Sequence, residues 1–576
     1  MTRSHHQRRA RVLASTTAAL GLMIGASTLA SGTAQSAEPA GDCATPYDAS
    51  LLKPGDAVSG LTVETGTTPE GFTGEVIGTL EDGIAPGIDM LMMELDSPAI
   101  QRAGGIWQGM SGSPVYLGGT LVGAVAYGLS YGPSPIAGIT PYSEMDDYLG
   151  DAAAGKVEVD RSAARAIAAR STTSASQAAE GFTQLRMPIS ISGLSADRVA
   201  QLRQLDHTWS LGGMLASART TGTAQAADAG SADIVAGGNL AASLSYGDIS
   251  FAGVGTATTV CDGKVVGFGH PFQFLGATSL GLHPADAVYV QPDSLGAPFK
   301  LANIAPVVGS ITQDRRTGLT GVFGTLPDVS TVTSTVTYGA RERTGSTDVY
   351  FERALPDIGF SQLFANHDRV LDAAIPGSDD TSWTITGTDG DGEAFTISYA
   401  DSYVSDYDIA YESAGDLANT LYALSQLEDV SVTSVVADSA VDDDHDPYRI
   451  TGLQQQVRGK WVTVKTARVD AGDRLVLRAV LTNEAGTTYA PYSVQIPRGA
   501  RSGQLQVTGG QRDYFYLRKV TSVADVQKGL AGAVRNDEVS FELRLAGKGV
   551  KRQQRTDVGP LDTVVDGSKR LTVVVR

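Results

Sequence analysis

The run Gly109-Met110-Ser111-Gly112-Ser113-Pro114 sets a serine hydroxyl between two glycines, on a tight turn that enters Val115-Tyr116-Leu117. A serine hydroxyl is a weak nucleophile at its free pKa. An enzyme must expose it, give it a base and stabilise the oxyanion it creates. Gly109 and Gly112 allow a sharp turn that brings amide N–H groups near a substrate carbonyl, and Pro114 fixes the exit. The same residues also fit a glycine-rich β-turn between two strands. A base must come from few histidines: His207, His270, His283, His367 and His445 beyond the N-terminal segment. His270 stands apart because Gly267-Phe268-Gly269-His270-Pro271-Phe272 closes a hydrophobic run, and its glycines permit close approach of another segment. A histidine at a strand end equally suits a structural role. His207 and His367 lie among charged residues and read as surface positions, with His283 as the reserve.

The elements that must position these groups begin after a targeting segment. Residues 1–37 read as a signal peptide: Arg3, Arg8, Arg9 and Arg11 precede the weakly apolar stretch Val12 to Ala30, and small residues around Ala34 and Ala37 offer cleavage sites. The Arg8-Arg9 pair leaves Sec and twin-arginine export both open. Removing the leader takes away four arginines and no acid, moving the net charge from −19 to about −23. Such a surface repels nucleic acid and anionic lipid. No later segment is apolar enough to span a bilayer, so the mature chain is expected to be secreted or envelope-associated without stable membrane insertion. The two cysteines, Cys43 and Cys261, can form one disulfide in an exported chain, with two buried thiols as the alternative. No Cys or His pair stands at ligand spacing, so neither metal nor cofactor is expected. Asp442-Asp443-Asp444-His445-Asp446 lacks the glycine and distal Glu of a calcium loop and reads as a solvated linker.

Short β-branched runs separated by Gly and Pro, from Val58 to Tyr127, predict antiparallel β structure, either a barrel or a sandwich. Thr140-Pro141 before an acidic turn reads as a helix start, with Thr140 as cap. Residues 152 to 180 suit a helix followed by a linker, and 217 to 231 form a second loose stretch. Strands are predicted at Ser243 to Phe251, Val254 to Val260 and Pro306 to Thr337, with a helix at Ser413 to Leu427. From Tyr448 onward, strands spaced by turn residues predict a β-sandwich.

On these residues the chain resembles the SpoIVB-type serine peptidases. The resemblance rests on Phe72-Thr73-Gly74-Glu75-Val76-Ile77-Gly78, on Gly104-Gly105-Ile106-Trp107-Gln108 running into the serine motif, and on Leu121-Val122-Gly123-Ala124-Val125. Gly267-Phe268-Gly269-His270, Val308-Gly309-Ser310-Ile311-Thr312-Gln313-Asp314-Arg315 and Gly321-Val322-Phe323-Gly324 extend it, discontinuously, over roughly residues 55 to 340. The resemblance implies a mainly β fold: a trypsin-like double β-barrel, followed here by the C-terminal β-sandwich-like region. It implies Ser111 as nucleophile, His270 as general base and Asp96, fifteen residues before Ser111, as third member. Asp96 also fits a cap before Ser97-Pro98, and Asp262, Asp286 and Asp314 are reserves. By analogy with trypsin-like geometry, the amides of Gly109 and Ser111 form the oxyanion hole. Ser113 stands where the related Gly-Asp-Ser-Gly-Gly-Pro pattern has glycine, and reads as structural. The order departs from the sporulation peptidases: here Ser111 precedes His270, so the halves are permuted, and no peptide-binding PDZ module precedes them. A triad depends on geometry and not on chain order.

The expected division is 1–37 signal peptide, 45–150 the half carrying Ser111, and 151–232 a helical Ala/Ser-rich insert. It continues with 233–340 the half carrying His270, 341–440 a mixed α/β region and 447–576 the sandwich-like domain. The function expected is an exported serine endopeptidase acting by acyl-enzyme chemistry on proteins or peptides, itself among the candidate substrates. The alternative is an inactive envelope or extracellular binding protein on the same fold. An α/β-hydrolase esterase is excluded by topology, because a strand and not a helix follows Ser111. Oligomeric state and natural substrate have no signature in the sequence.

Overall fold

The computed structural model describes residues 44–146 apart from 131, then 161–170, 174–178, 182–184, 189–204 and 219–220. It resumes with 229–576, excepting 295–296, 511–519, 548–549 and 551–552. The signal segment, Cys43, His207 and most of 151–232 lie outside these residues.

Two closed six-stranded antiparallel barrels carry the site, a trypsin-like double-barrel arrangement. The first runs Pro114–Leu117, Ala57–Thr62, Glu70–Ala85, Ile88–Asp96, Ile136–Pro141 and Thr120–Leu129, and closes back on Pro114–Leu117. Closure removes the unpaired edges that an open sheet would present. Its interior is filled by Val58, Phe72, Met93, Trp107 and Val125. The second barrel runs Asn239–Gly247, Gly276–His283, Gly309–Arg315, Gly318–Phe323, Lys264–Gly267 and Ser250–Cys261, closing on Asn239–Gly247. Leu240, Val265, Leu280, Leu282, Ile311 and Leu319 fill it.

The turns follow local chemistry. Asp262-Gly263, both at positive φ (48° and 71°), joins the last two strands of that closure as a tight hairpin. Asp262 is therefore an exposed turn residue. Ser97 caps the helix Pro98–Ala103 by accepting from the Ile100 amide, with Pro98 in the first turn. Thr140 does not cap the next helix, Tyr142–Asp146. Its residue completes a barrel strand, and its hydroxyl donates to the Gly269 carbonyl at 2.6 Å.

A hairpin of Ala285–Gln291 and Phe299–Ile304 leaves the second barrel and straps the first. Gly66 and Ala287 exchange both main-chain hydrogen bonds, at 2.7 and 2.9 Å. Beyond the barrel, the sheet continues through Arg341–Val349, Ser330–Tyr338, Ser431–Asp442, Gly377–Thr388 and Ala394–Ser405. The helices Leu355–Leu371 and Ile409–Ser425 join its core. The first helix is buried on nearly every face, His367 included. His367 is thus no surface residue: it bonds Asp379 at 2.9 Å inside the protein, because the helix is enclosed instead of lying on solvent. Residues from Tyr448 onward form two five-stranded sheets around one apolar core, a β-sandwich. Among the described residues no helix is long and apolar enough to cross a membrane.

Candidate active site

Ser111 and His270 meet where the two barrels face each other. The Ser111 hydroxyl lies 2.8 Å from His270 Nε2, although 159 residues separate them. The ring's other nitrogen, Nδ1, lies 2.8 Å from the Pro271 carbonyl. A carbonyl only accepts, so Nδ1 carries the proton and Nε2 is left bare. Nε2 then accepts from the serine, the tautomer a general base requires. Burial pushes the imidazole from 6.5 down to about 4, against the Pro271 hydrogen bond that pulls it up. Both residues are fully buried, at 0% exposure.

Thr256, on the strand Ser250–Cys261, ties the two halves of the pair together. Its amide donates to the Ser111 carbonyl at 2.8 Å and its hydroxyl to the Gly109 carbonyl at 3.0 Å. Its own carbonyl accepts from Phe268, two residues before the histidine, at 3.2 Å. Thr258 adds a hydroxyl bond to Gly112 O at 2.7 Å. This close approach explains Gly112: a Cβ there would lie 1.8 Å from the Thr256 carbonyl, and its φ is +96°. Ser113 is structural, its buried hydroxyl donating to Thr62 Oγ1 at 2.9 Å.

The amides of Gly109 and Ser111 have no hydrogen-bond acceptor among the described residues, whereas those of Gln108, Met110, Gly112 and Ser113 are all spent within the main chain. Two unspent N–H groups on the serine turn are what an oxyanion hole needs. Ser243 makes a second serine–histidine contact. Its hydroxyl also meets a histidine, His283 Nε2, at 2.7 Å, and His283 Nδ1 faces the Ala305 carbonyl at 2.9 Å. But Ser243 sits inside a strand paired on both flanks, to Ala252 and to Gly281. A Ser–His contact without a turn and free amides is a structural pair.

The structure does not bring Asp96 to His270. The Asp96 carboxylate is exposed at the end of Ile88–Asp96 and accepts from Gln101 Nε2 at 2.8 Å. No hydrogen bond joins Asp96 to the imidazole among the described residues. Asp286 lies in the strap hairpin opposite Asn303. Asp314 is buried beneath the histidine turn, where it accepts from the amides of Phe272, Gln273 and Leu275 at 2.8, 2.7 and 3.2 Å. Burial holds its carboxyl above the usual range, opposed by those amides. Asp314 shapes the turn that carries His270, a role no sequence pattern announces. Cys261 is disulfide-bonded, and its expected partner Cys43 lies outside the described residues. Among the described residues no group of three His, Cys, Asp or Glu side chains is placed to hold a metal.

Residues 46–140 match the family model described as SpoIVB peptidase S55, which implies a peptidase and hence protein or peptide substrates. The match contains the serine turn and Asp96 and ends before His270. No curated protein and no solved structure matches the chain.

Proposed function

We propose that the chain is an exported serine endopeptidase of the SpoIVB type, working through an acyl-enzyme. The observation that carries this reading is the Ser111 Oγ to His270 Nε2 contact of 2.8 Å between two separate barrels. In the first step Ser111 Oγ bonds to the substrate carbonyl carbon and its proton passes to His270 Nε2. The carbonyl π pair moves to oxygen, where the Gly109 and Ser111 amides receive it. Collapse expels the amine, which takes the proton from His270, and water then repeats the sequence on the acyl-enzyme. The Pro271 carbonyl orients the imidazole in place of a carboxylate, so Asp96 receives no step. Self-cleavage, expected from the sequence within 152–180 or 217–231, would fall outside the helices Arg161–Arg170 and Ala175–Ala178. Residues 1–37 would direct export.

A second reading, an inactive envelope or extracellular binding protein, is favoured by the complete burial of both Ser111 and His270. The test compares the mature chain, Ser111→Ala and His270→Ala on an unfolded fluorogenic protein substrate, with and without sub-denaturing urea to open the site. Each variant is expected to lose roughly 10³-fold or more of the rate. Equal hydrolysis by wild type and Ser111→Ala, or none under either condition, would contradict the peptidase reading.

A further inference from the structure

Lys300 is a buried cation that the chemistry above does not use. It lies in the strap hairpin with 2% of its surface exposed. Its ammonium donates to Asn239 Oδ1 at 2.8 Å. The Asn239 amide group is fixed in that orientation, because its nitrogen donates to the carbonyls of Gly66 and Ala285, each at 3.0 Å. No carboxylate pairs with the ammonium among the described residues. Burial pushes Lys300 from 10.5 down to about 7. An ammonium buried without a counter-charge weakens the fold. Departures from the rule that buried charges are paired are expected at functional sites.

Its placement says which function. The Lys300 side chain lies along Gly109: a Cβ on that glycine would be 2.9 Å from Lys300 Cβ and 3.5 Å from Cδ and Cε. The Lys300 main-chain amide donates to the Gln108 carbonyl at 2.9 Å. That carbonyl belongs to the peptide group whose N–H is the unspent amide of Gly109. A peptide already accepting through its oxygen is polarised and donates more strongly through its nitrogen. The peptide supplying the Ser111 amide is treated alike, since Met110 O accepts from Ser113 N at 2.8 Å.

We propose that Lys300 is a positioning residue for the oxyanion, polarising the Gln108–Gly109 peptide through its main chain and supplying a positive field behind it through its ammonium. The proposal rests on the serine-peptidase reading. The ammonium's hydrogen-bond partner is the neutral Asn239 amide, its stem lies along Gly109 on the serine turn, its pairing partner in the hairpin is Val290, and burial alone accounts for its lowered pKa. The field should therefore vanish as Lys300 itself loses its proton near neutrality.

The test is the rate at which a fluorophosphonate modifies Ser111 in the mature chain. In that reaction Ser111 Oγ bonds to phosphorus, fluoride leaves, and the hydroxyl proton passes to His270. Wild type, Lys300→Met and Ser111→Ala are compared from pH 6 to 9 beside their thermal melting, with Lys300→Gln as the alternative should Lys300→Met fail to fold. Lys300→Met is expected to melt at or above wild type yet react about tenfold more slowly at pH 6, less than the loss of a direct oxyanion donor. The gap should close toward pH 9, because wild-type Lys300 is then neutral too. A structural role would give a ratio independent of pH. A reactive wild type whose rate stays flat to pH 9, or is matched by both Lys300 variants, overturns this inference alone. A wild type no more reactive than Ser111→Ala overturns the serine reading and the inference with it.

Discussion

His270 is the residue on which the proposed chemistry turns, and its surroundings make a base that works at unusually low pH. It must be neutral to take the Ser111 proton, and burial holds it at about 4 instead of 6.5. The acid limb of the Ser111 modification rate is expected near pH 4, and a limb near 6.5 would show the imidazole to be solvated. The same depression links to stability: between 6.5 and about 4 the unfolded chain binds the proton that the folded chain refuses. This contribution is complete above 6.5 and is lost as pH falls toward 4, with His283, also held at about 4, adding to it. Asp96 sits apart from the imidazole and bonds Gln101. Asp96→Ala should therefore keep turnover within about tenfold of wild type, against roughly 10³ for His270→Ala. A loss in Asp96→Ala as large as in His270→Ala would restore it as third member.

At the scale of elements, the histidine turn is built by a buried carboxylate acting on main chain. Asp314 accepts three amides of residues 272–275, one through Oδ1 and two through Oδ2. Asp314→Asn can present an oxygen to only one side, and its NH2 group then opposes N–H donors. The expected cost is about 1–3 kcal/mol in unfolding free energy, with slower Ser111 modification. An unchanged denaturation midpoint would show that the turn holds without these bonds. The serine turn and the histidine turn were legible in the sequence because nucleophile and base chemistry demand particular residue types beside glycine. Thr256 and Lys300 were not, because a threonine or lysine in a β run looks like any strand residue until its partner segment is known. The Pro271 carbonyl has no side-chain signature at all. His367 misled for the opposite reason: charged neighbours suggested solvent, while the helix Leu355–Leu371 is enclosed and pairs the ring with Asp379.

Across the whole molecule, short β-branched runs foretold antiparallel β structure, the double barrel followed only from the family resemblance, and the sandwich from turn spacing. The sheet running on from the second barrel was not, because its pairings join strands far apart in sequence, such as Ser330–Tyr338 with Ser431–Asp442. The sandwich is seated on that extension by the helix Val523–Ala531, whose Val523, Val526 and Leu530 enter the same core as the second barrel. Ending the chain at residue 443 retains every barrel strand, Ser111 and His270 but strips this cover. Such a truncation should still be modified at Ser111 and should melt at a lower temperature. Unaltered melting would show the sandwich to be energetically independent.

In the proposed mechanism Ser111 and His270 form one activated pair across the two barrels. Peptide mapping by mass spectrometry, after fluorophosphonate treatment of the mature chain in its native state and in sub-denaturing urea, tests it most directly. A single phosphonyl adduct on the peptide carrying Ser111, absent in His270→Ala, is the result predicted. An adduct on Ser243, one on Ser111 that persists without His270, or none in either condition would contradict it.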